Sequence, residues 1–134
     1  MRFSNGRVLI FLGIIHALMA VSPLAFGKQF MGFSRNFMFK ISDGLSEFPI
    51  LSGQMNYENF AAFWFFYFGL LLIPLGFLVL NFEKKKLIIP VNFVVSYLIV
   101  VLIGVYMIPF SGMTLFMLPH ALYMLFKRKK IHLA

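Results

Sequence analysis

Two histidines, His16 and His120, lie inside apolar runs and are the side chains best placed to do chemistry. His16 follows Arg7 by nine residues, and His120 precedes Lys127 by seven residues. At ~1.5 Å per helical residue, these intervals place the two rings roughly 13 and 10 Å from their flanking basic residues. Similar depth on different helices predicts one polar layer.

A hydroxyl pair and a proline reach the same level. Ser96 and Tyr97 follow Lys86 by ten and eleven residues. Pro74 precedes Glu83 by nine residues, and it frees a backbone carbonyl because it lacks the N–H of the helical ladder. The side chains that we predict to line a ligand site in this layer are His16, Ser96, Tyr97 and His120.

Imidazole at such a depth permits several kinds of chemistry. Two histidines on different helices can be the axial ligands of a b-type haem, and histidine with tyrosine can hydrogen-bond a quinone carbonyl. A zinc or copper site needs more ligands, and the sequence offers no acidic residue at this depth. The simplest interpretation is a set of structural hydrogen bonds, each worth about 1 kcal/mol. We therefore expect no cofactor and keep haem b or quinone at His16 and His120 as the alternative.

The composition requires an apolar environment around the helices that carry these residues. The chain has 134 residues, which predicts one domain, and it is 61% hydrophobic with only 12% charged residues. A soluble globule of this size has too little interior to hide so much apolar surface. The absence of cysteine excludes disulfides, thiolate metal sites and thiol catalysis. The sequence predicts an integral membrane protein.

Four apolar stretches approach the ~20 residues that a helix needs to cross a bilayer. They cover about residues 8–26, 60–82, 87–108 and 113–126 of the single domain 1–134. The start resembles a signal peptide, but Pro23 directly after Ser22 makes a poor cleavage site, so we expect a retained first helix. The predicted fold is all-α, a four-helix transmembrane bundle.

The basic residues orient this bundle. Nine of the twelve fall on one side of a four-span chain: Arg2, Arg7, Lys84, Lys85, Lys86, Lys127, Arg128, Lys129 and Lys130. Because basic loops stay in the cytoplasm, both termini are predicted to be cytoplasmic in a multi-pass protein of the bacterial inner membrane.

The outward connection, about residues 28–58, has a helical pattern of its own. Phe30, Phe33, Phe37 and Ile41 recur at spacings of three and four residues. This pattern predicts an amphipathic interfacial helix between the first and second spans. The segment is either a lid on the bundle, which we favour, or a docking surface in which these four side chains contact a partner.

Three short motifs suggest a family. They are Gly13-Ile14-Ile15-His16, the aromatic start of the second span with Gly69, and the turn Pro109-Phe110-Ser111-Gly112. In these the chain resembles small bacterial four-helix membrane proteins, some of them described as DoxX-like. The resemblance implies the four-helix fold, a glycine–histidine feature at His16, and partners in redox or respiratory membrane systems.

Taken together, the sequence favours a non-enzymatic role. We expect an accessory subunit of a larger membrane complex, or a protein that binds a hydrophobic ligand between its helices. The expected partners are the bilayer and other membrane subunits or a second copy, not nucleic acid. A haem- or quinone-binding redox protein is the alternative, and a transporter would need more polar residues than this one layer.

Overall fold

The computed structural model describes residues 4–35 and 56–132, without the side chains of Met113 and residues 128–132. Regular structure in these ranges is entirely helical, which confirms the all-α class. The five helices of the described ranges are α1 (Asn5–Val21), α2 (Gly27–Ser34), α3 (Tyr57–Lys84), α4 (Val91–Met107) and α5 (Gly112–His132).

Two helix boundaries differ from the predicted spans because of proline. Helix α1 ends at Val21 rather than near Phe26, and the chain turns through Ser22, whose hydroxyl donates to the Met19 carbonyl over 2.7 Å. Helix α4 begins at Val91 rather than near residue 87, with Pro90 at the N-cap. Proline suits a helix start because the N–H that it lacks would have no helical partner there.

Among the described helices, α3 alone is both long and apolar enough to cross a membrane by itself. Only 22% of its most apolar window is buried within the described residues. Helices α1 and α4 are apolar but have 17 residues each. Helix α5 contains the predicted fourth span and continues into the basic run beyond it. By length and apolar composition, the described helices therefore support one membrane span.

Helix α2 occupies the first part of the predicted interfacial segment. It begins at Gly27 and ends at Ser34, so Phe30 and Phe33 lie on it. The predicted contacts Phe37 and Ile41 lie outside the described residues.

Contacts divide the chain into two compact units, each described by itself. The first unit combines Met1–Ile10 with Leu75–Ala134, and the second is Phe11–Pro74. In the first unit Leu9, Val79, Val94 and Met124 form an apolar core. Partly buried side chains that pack against that core are Ile89, Phe93, Tyr97 and Leu125.

Glycines bring α1 and α3 close together within each unit. In the first unit, a Cβ on Gly6 would lie 2.6 Å from the Gly76 carbonyl oxygen. In the second, a Cβ on Gly13 would lie 2.7 Å from the Gly69 carbonyl oxygen. The glycines of each helix are seven residues apart, two helical turns, and so share one face. Small residues at such spacing let two backbones touch, as in membrane helix pairs.

Candidate functional site

Tyr97 and His120 meet in the first unit, where α4 packs against α5. The Tyr97 hydroxyl lies 3.2 Å from His120 Nδ1, and the two rings meet edge to face with centroids 5.8 Å apart. His120 is only 5% exposed. The structure thus joins two of the four residues predicted for the polar layer.

The second ring nitrogen of His120, Nε2, makes no contact like that between Nδ1 and the Tyr97 hydroxyl. Nε2 is buried, and no hydrogen-bond partner for it is present in the described part of the chain. In metal-bound histidines, one ring nitrogen binds the metal and the other makes a hydrogen bond that fixes the orientation of the ring. His120 has the second kind of contact at Nδ1. Nδ1 of His16 is also buried without a partner, so each of these two histidines has one ring nitrogen that makes no hydrogen bond within the described residues.

His16 lies in the second unit and has another kind of partner. Its Nε2 is 2.9 Å from the Phe65 carbonyl oxygen. Because a carbonyl only accepts, Nε2 must carry the hydrogen and donate it. The ring also packs on Phe65 at 4.1 Å and on Phe68 at 5.6 Å between centroids. His16 thus ties α1 to α3, and its usual ligating nitrogen is already occupied.

Ser96 and Pro74, which were predicted to reach the same layer, make no hydrogen bond to either histidine. Ser96 is exposed, and its hydroxyl donates to the Phe93 carbonyl of its own helix over 3.1 Å. Pro74 lies inside α3, where the N–H that it lacks would have reached the carbonyl of Leu70. His16 bonds a different carbonyl, that of Phe65, so the freed carbonyl is not its partner.

Glu83 makes a polar contact between helices that the sequence did not predict. Its Oε1 accepts from the backbone N–H and the side-chain Nδ2 of Asn5, both over 2.9 Å. Its Oε2 accepts from the Ser4 hydroxyl over 2.6 Å and from the Gly6 N–H over 3.2 Å. A carboxylate at a helix N-terminus satisfies free N–H groups and complements the helix dipole. Glu83 therefore fixes the start of α1 to the end of α3.

These contacts change the acidity of Glu83, which lies past the apolar part of α3. Burial alone would raise the pKa of the carboxyl group, but the hydrogen bonds from Ser4, Asn5 and Gly6 outweigh it and hold the pKa below the ordinary 4.5. The side chain is thus an anion at neutral pH. One signal was available in the sequence, because Glu83 is the only acidic residue after Glu58.

The predicted partner contacts on α2 pack against the chain itself. Phe33 is buried, and its ring lies 5.2 Å from that of Phe30. Phe30 is half-buried and lies 5.2 Å from the ring of Phe66 on α3. Both rings therefore pack within the second unit, and the choice between a lid and a docking surface stays a prediction.

A second set of aromatic rings, on α3, is partly or largely exposed. The aromatic surface of α3, defined here as Phe63, Trp64 and Tyr67, has Phe63 stacked on Tyr67 at 5.4 Å and Trp64 edge-on to Tyr67 at 5.9 Å. Trp64 is 43% and Tyr67 is 39% exposed. Among the described residues, none hydrogen-bonds the Tyr67 hydroxyl. In the sequence these rings belong to the aromatic start of the second span, which was noted as a family motif and not as a contact site.

The chain belongs to a family described as "Family of unknown function (DUF6463)", whose model matches residues 2–130. Neither the curated proteins nor the solved structures include a match. The match covers both units, so they belong to one family pattern. The resemblance to DoxX-like proteins stays a prediction.

Proposed function

We propose that this member of the DUF6463 family is a four-span membrane protein that serves as an accessory subunit of a larger membrane complex. The observation that carries the proposal is the aromatic surface of α3, with the exposed Tyr67 hydroxyl on a helix fit to cross a bilayer. Both termini and the lysine turn lie in the cytoplasm in this proposal, as the basic residues favour.

The length and outward face of α3 support a place in the membrane. Its 28 residues extend ~42 Å, more than the ~30 Å of a bilayer's hydrocarbon core. The core helix of a soluble protein would be mostly buried, whereas 22% of the apolar window of α3 is buried. Large exposed apolar side chains also occur on α1 and α4, including Phe11, Leu18, Ile99 and Val100. Lipid or protein must cover these faces.

The polar side chains at the helix contacts already have structural tasks. His16 bonds the Phe65 carbonyl, His120 bonds Tyr97, and Glu83 holds the start of α1. Each of these contacts links two helices. This use of polar groups favours a scaffold over an enzyme.

Tyr67 favours a protein partner over lipid alone. It lies seven residues into the predicted second span from Phe60, roughly 10 Å below the outer edge. Hydrocarbon offers no partner to a hydroxyl, so burial in lipid would leave that group unsatisfied. Tyrosine and tryptophan also concentrate binding energy at protein interfaces. The proposed occupant is a transmembrane helix of another subunit that carries a polar group opposite Tyr67.

Site-specific photocrosslinking tests this proposal. A photoreactive residue at position 67 is expected to give one dominant protein adduct, and the same residue at exposed Val100 of α4 is expected to give lipid adducts only. Stoichiometric recovery of the same partner should fall in Tyr67→Phe, which removes only the hydroxyl. It should persist in Tyr106→Phe, which removes an exposed hydroxyl from α4. Lipid or self adducts alone at position 67 would contradict the proposal.

A redox role is the second candidate, and one observation favours it. The buried, unpartnered Nε2 of His120 suits an axial bond to haem or a hydrogen bond to a quinone. Visible spectra of protein purified gently from its membrane test this candidate. A reduced haem band lost in His120→Ala would favour it, and a featureless spectrum with no bound quinone would dismiss it.

A further inference from the structure

The turn after α3 contains a lysine in a backbone conformation that normally belongs to glycine. Lys86 has a φ of 56°, in the left-handed region. Its N–H donates to the Glu83 carbonyl over 3.1 Å, and the N–H of Leu87 donates to the Phe82 carbonyl over 2.9 Å. This pair of bonds is the Schellman motif that ends many helices, and its left-handed position is usually glycine.

A side chain at this position is unfavourable, because the left-handed backbone brings Cβ against a carbonyl oxygen. Glycine avoids that clash and would form the same turn. Side chains kept in strained backbone regions concentrate at sites with a task. The Lys86 ammonium group is the part of this side chain that can perform such a task.

Other cations lie at the same end of the first unit. Lys84 and Lys85 precede Lys86, and all three side chains are exposed. The bonds from Glu83 to Ser4, Asn5 and Gly6 attach the start of α1 here, and exposed Arg7 follows directly. Both Glu83 oxygens are occupied by these donors. The carboxylate that precedes these lysines in the sequence is therefore held by the start of α1.

We propose that Arg7, Lys84, Lys85 and Lys86, together called the basic turn surface, bind the phosphate headgroup of an anionic phospholipid. Leu87 and Ile88 follow directly and are exposed, so they suit contact with an acyl chain. Cations beside apolar side chains match a lipid, which offers a phosphate and a hydrocarbon tail, better than a free anion. The inference rests on the proposal that the chain spans a membrane.

Competition between lipids in native mass spectrometry tests this site. The protein in detergent at low salt receives equal amounts of phosphatidylglycerol and phosphatidylcholine, and the bound lipids are counted. Each basic side chain near an anionic surface contributes ~1 kcal/mol, or about fivefold in affinity. We expect the bound ratio to favour phosphatidylglycerol and to fall at least ~10-fold in the Lys84→Gln, Lys85→Gln, Lys86→Gln triple variant.

Two variants separate charge from fold. Lys86→Gly relieves the backbone strain, so it should unfold at the same or a higher temperature yet lose about fivefold in lipid preference. Lys28→Gln removes an exposed charge from α2 in the second unit and should leave the preference unchanged. Equal binding of both lipids by the wild type, or an unchanged ratio in Lys86→Gly, would overturn the proposal.

Alkaline extraction of native membranes comes first and keeps the two proposals distinguishable. Release of the protein by alkali would refute the membrane-spanning function itself. A protein that resists extraction but has no lipid preference would refute the basic turn surface alone. Complete displacement of the lipid by millimolar inorganic phosphate would reveal a free-anion site and would also overturn the lipid assignment.

Discussion

Replacing Glu83 with glutamine should loosen the start of α1. The carboxylate accepts four hydrogen bonds, from the Ser4 hydroxyl, the Asn5 N–H and Nδ2, and the Gly6 N–H. Glutamine keeps one side-chain oxygen, so about half of these hydrogen bonds keep an acceptor. The substitution also removes the negative charge that interacts favourably with the N-terminal end of the α1 dipole. Hydrogen bonds to charged groups contribute ~1.5–3 kcal/mol each, and the dipole term ~0.3–1 kcal/mol.

Partial solvent exposure reduces these contributions, so we expect Glu83→Gln to lower the free energy of unfolding by about 2 kcal/mol. Glu58→Gln is the matched control on the same helix, because Glu58 accepts one exposed side-chain bond from Gln29 at 3.1 Å. Its effect should stay below ~0.5 kcal/mol. Unfolding in detergent, followed by circular dichroism, measures both. Hydrogen exchange should also quicken at Asn5 and Gly6 in Glu83→Gln.

The effect should depend on pH in a defined direction. The pKa of folded Glu83 lies below the ordinary 4.5. The stabilisation is therefore fully present above the unfolded pKa and is lost as the pH falls through the folded one. The difference between wild type and Glu83→Gln should be constant near neutrality and shrink below about pH 4.5. A Glu83→Gln variant as stable as the wild type at neutral pH would refute the capping argument.

Four further substitutions, one of them a control, test the helix contacts in detergent unfolding. Gly69→Ala should destabilise by ~2 kcal/mol or more, because its Cβ would lie 2.8 Å from the Ala17 nitrogen, whereas Gly104→Ala has open space and should stabilise by up to ~1 kcal/mol. Equal effects would argue against close packing of α1 on α3. His16→Phe should destabilise by about 1 kcal/mol by removing the bond to the Phe65 carbonyl, and a neutral result would show that this bond is dispensable. Tyr97→Phe should also lose about 1 kcal/mol, and an unchanged His120 nitrogen resonance in this variant would contradict their contact.

Depth along a helix could be counted from the sequence, but the direction of each side chain could not. Counting residues from Lys86 and Lys127 placed Tyr97 and His120 at one level, and the structure brings them within hydrogen-bond distance. Ser96 is one residue from Tyr97, which rotates it by ~100° about the helix axis, and it bonds its own helix instead. Shared depth thus does not determine shared direction.

The sequence also could not show which distant segments of the chain contact each other. Glu83 and Asn5 are 78 positions apart, and no local pattern connects them. The glycines that contact across α1 and α3 are visible as a seven-residue spacing on each helix, but only the packed pair reveals which glycine opposes which. The two prolines were visible in the sequence, but the predicted spans 8–26 and 87–108 ran past them, whereas α1 ends before Pro23 and α4 begins after Pro90.

Cysteine labelling in intact cells tests the membrane topology most directly, because the chain has no cysteine of its own. Single substitutions at Lys28 and Lys85 change exposed residues and provide one labelling site each. With a membrane-impermeant maleimide, we expect labelling of the Lys28→Cys variant in intact cells and of the Lys85→Cys variant only after lysis. Labelling of both from the outside, or of neither, would contradict a chain that crosses the membrane between these residues.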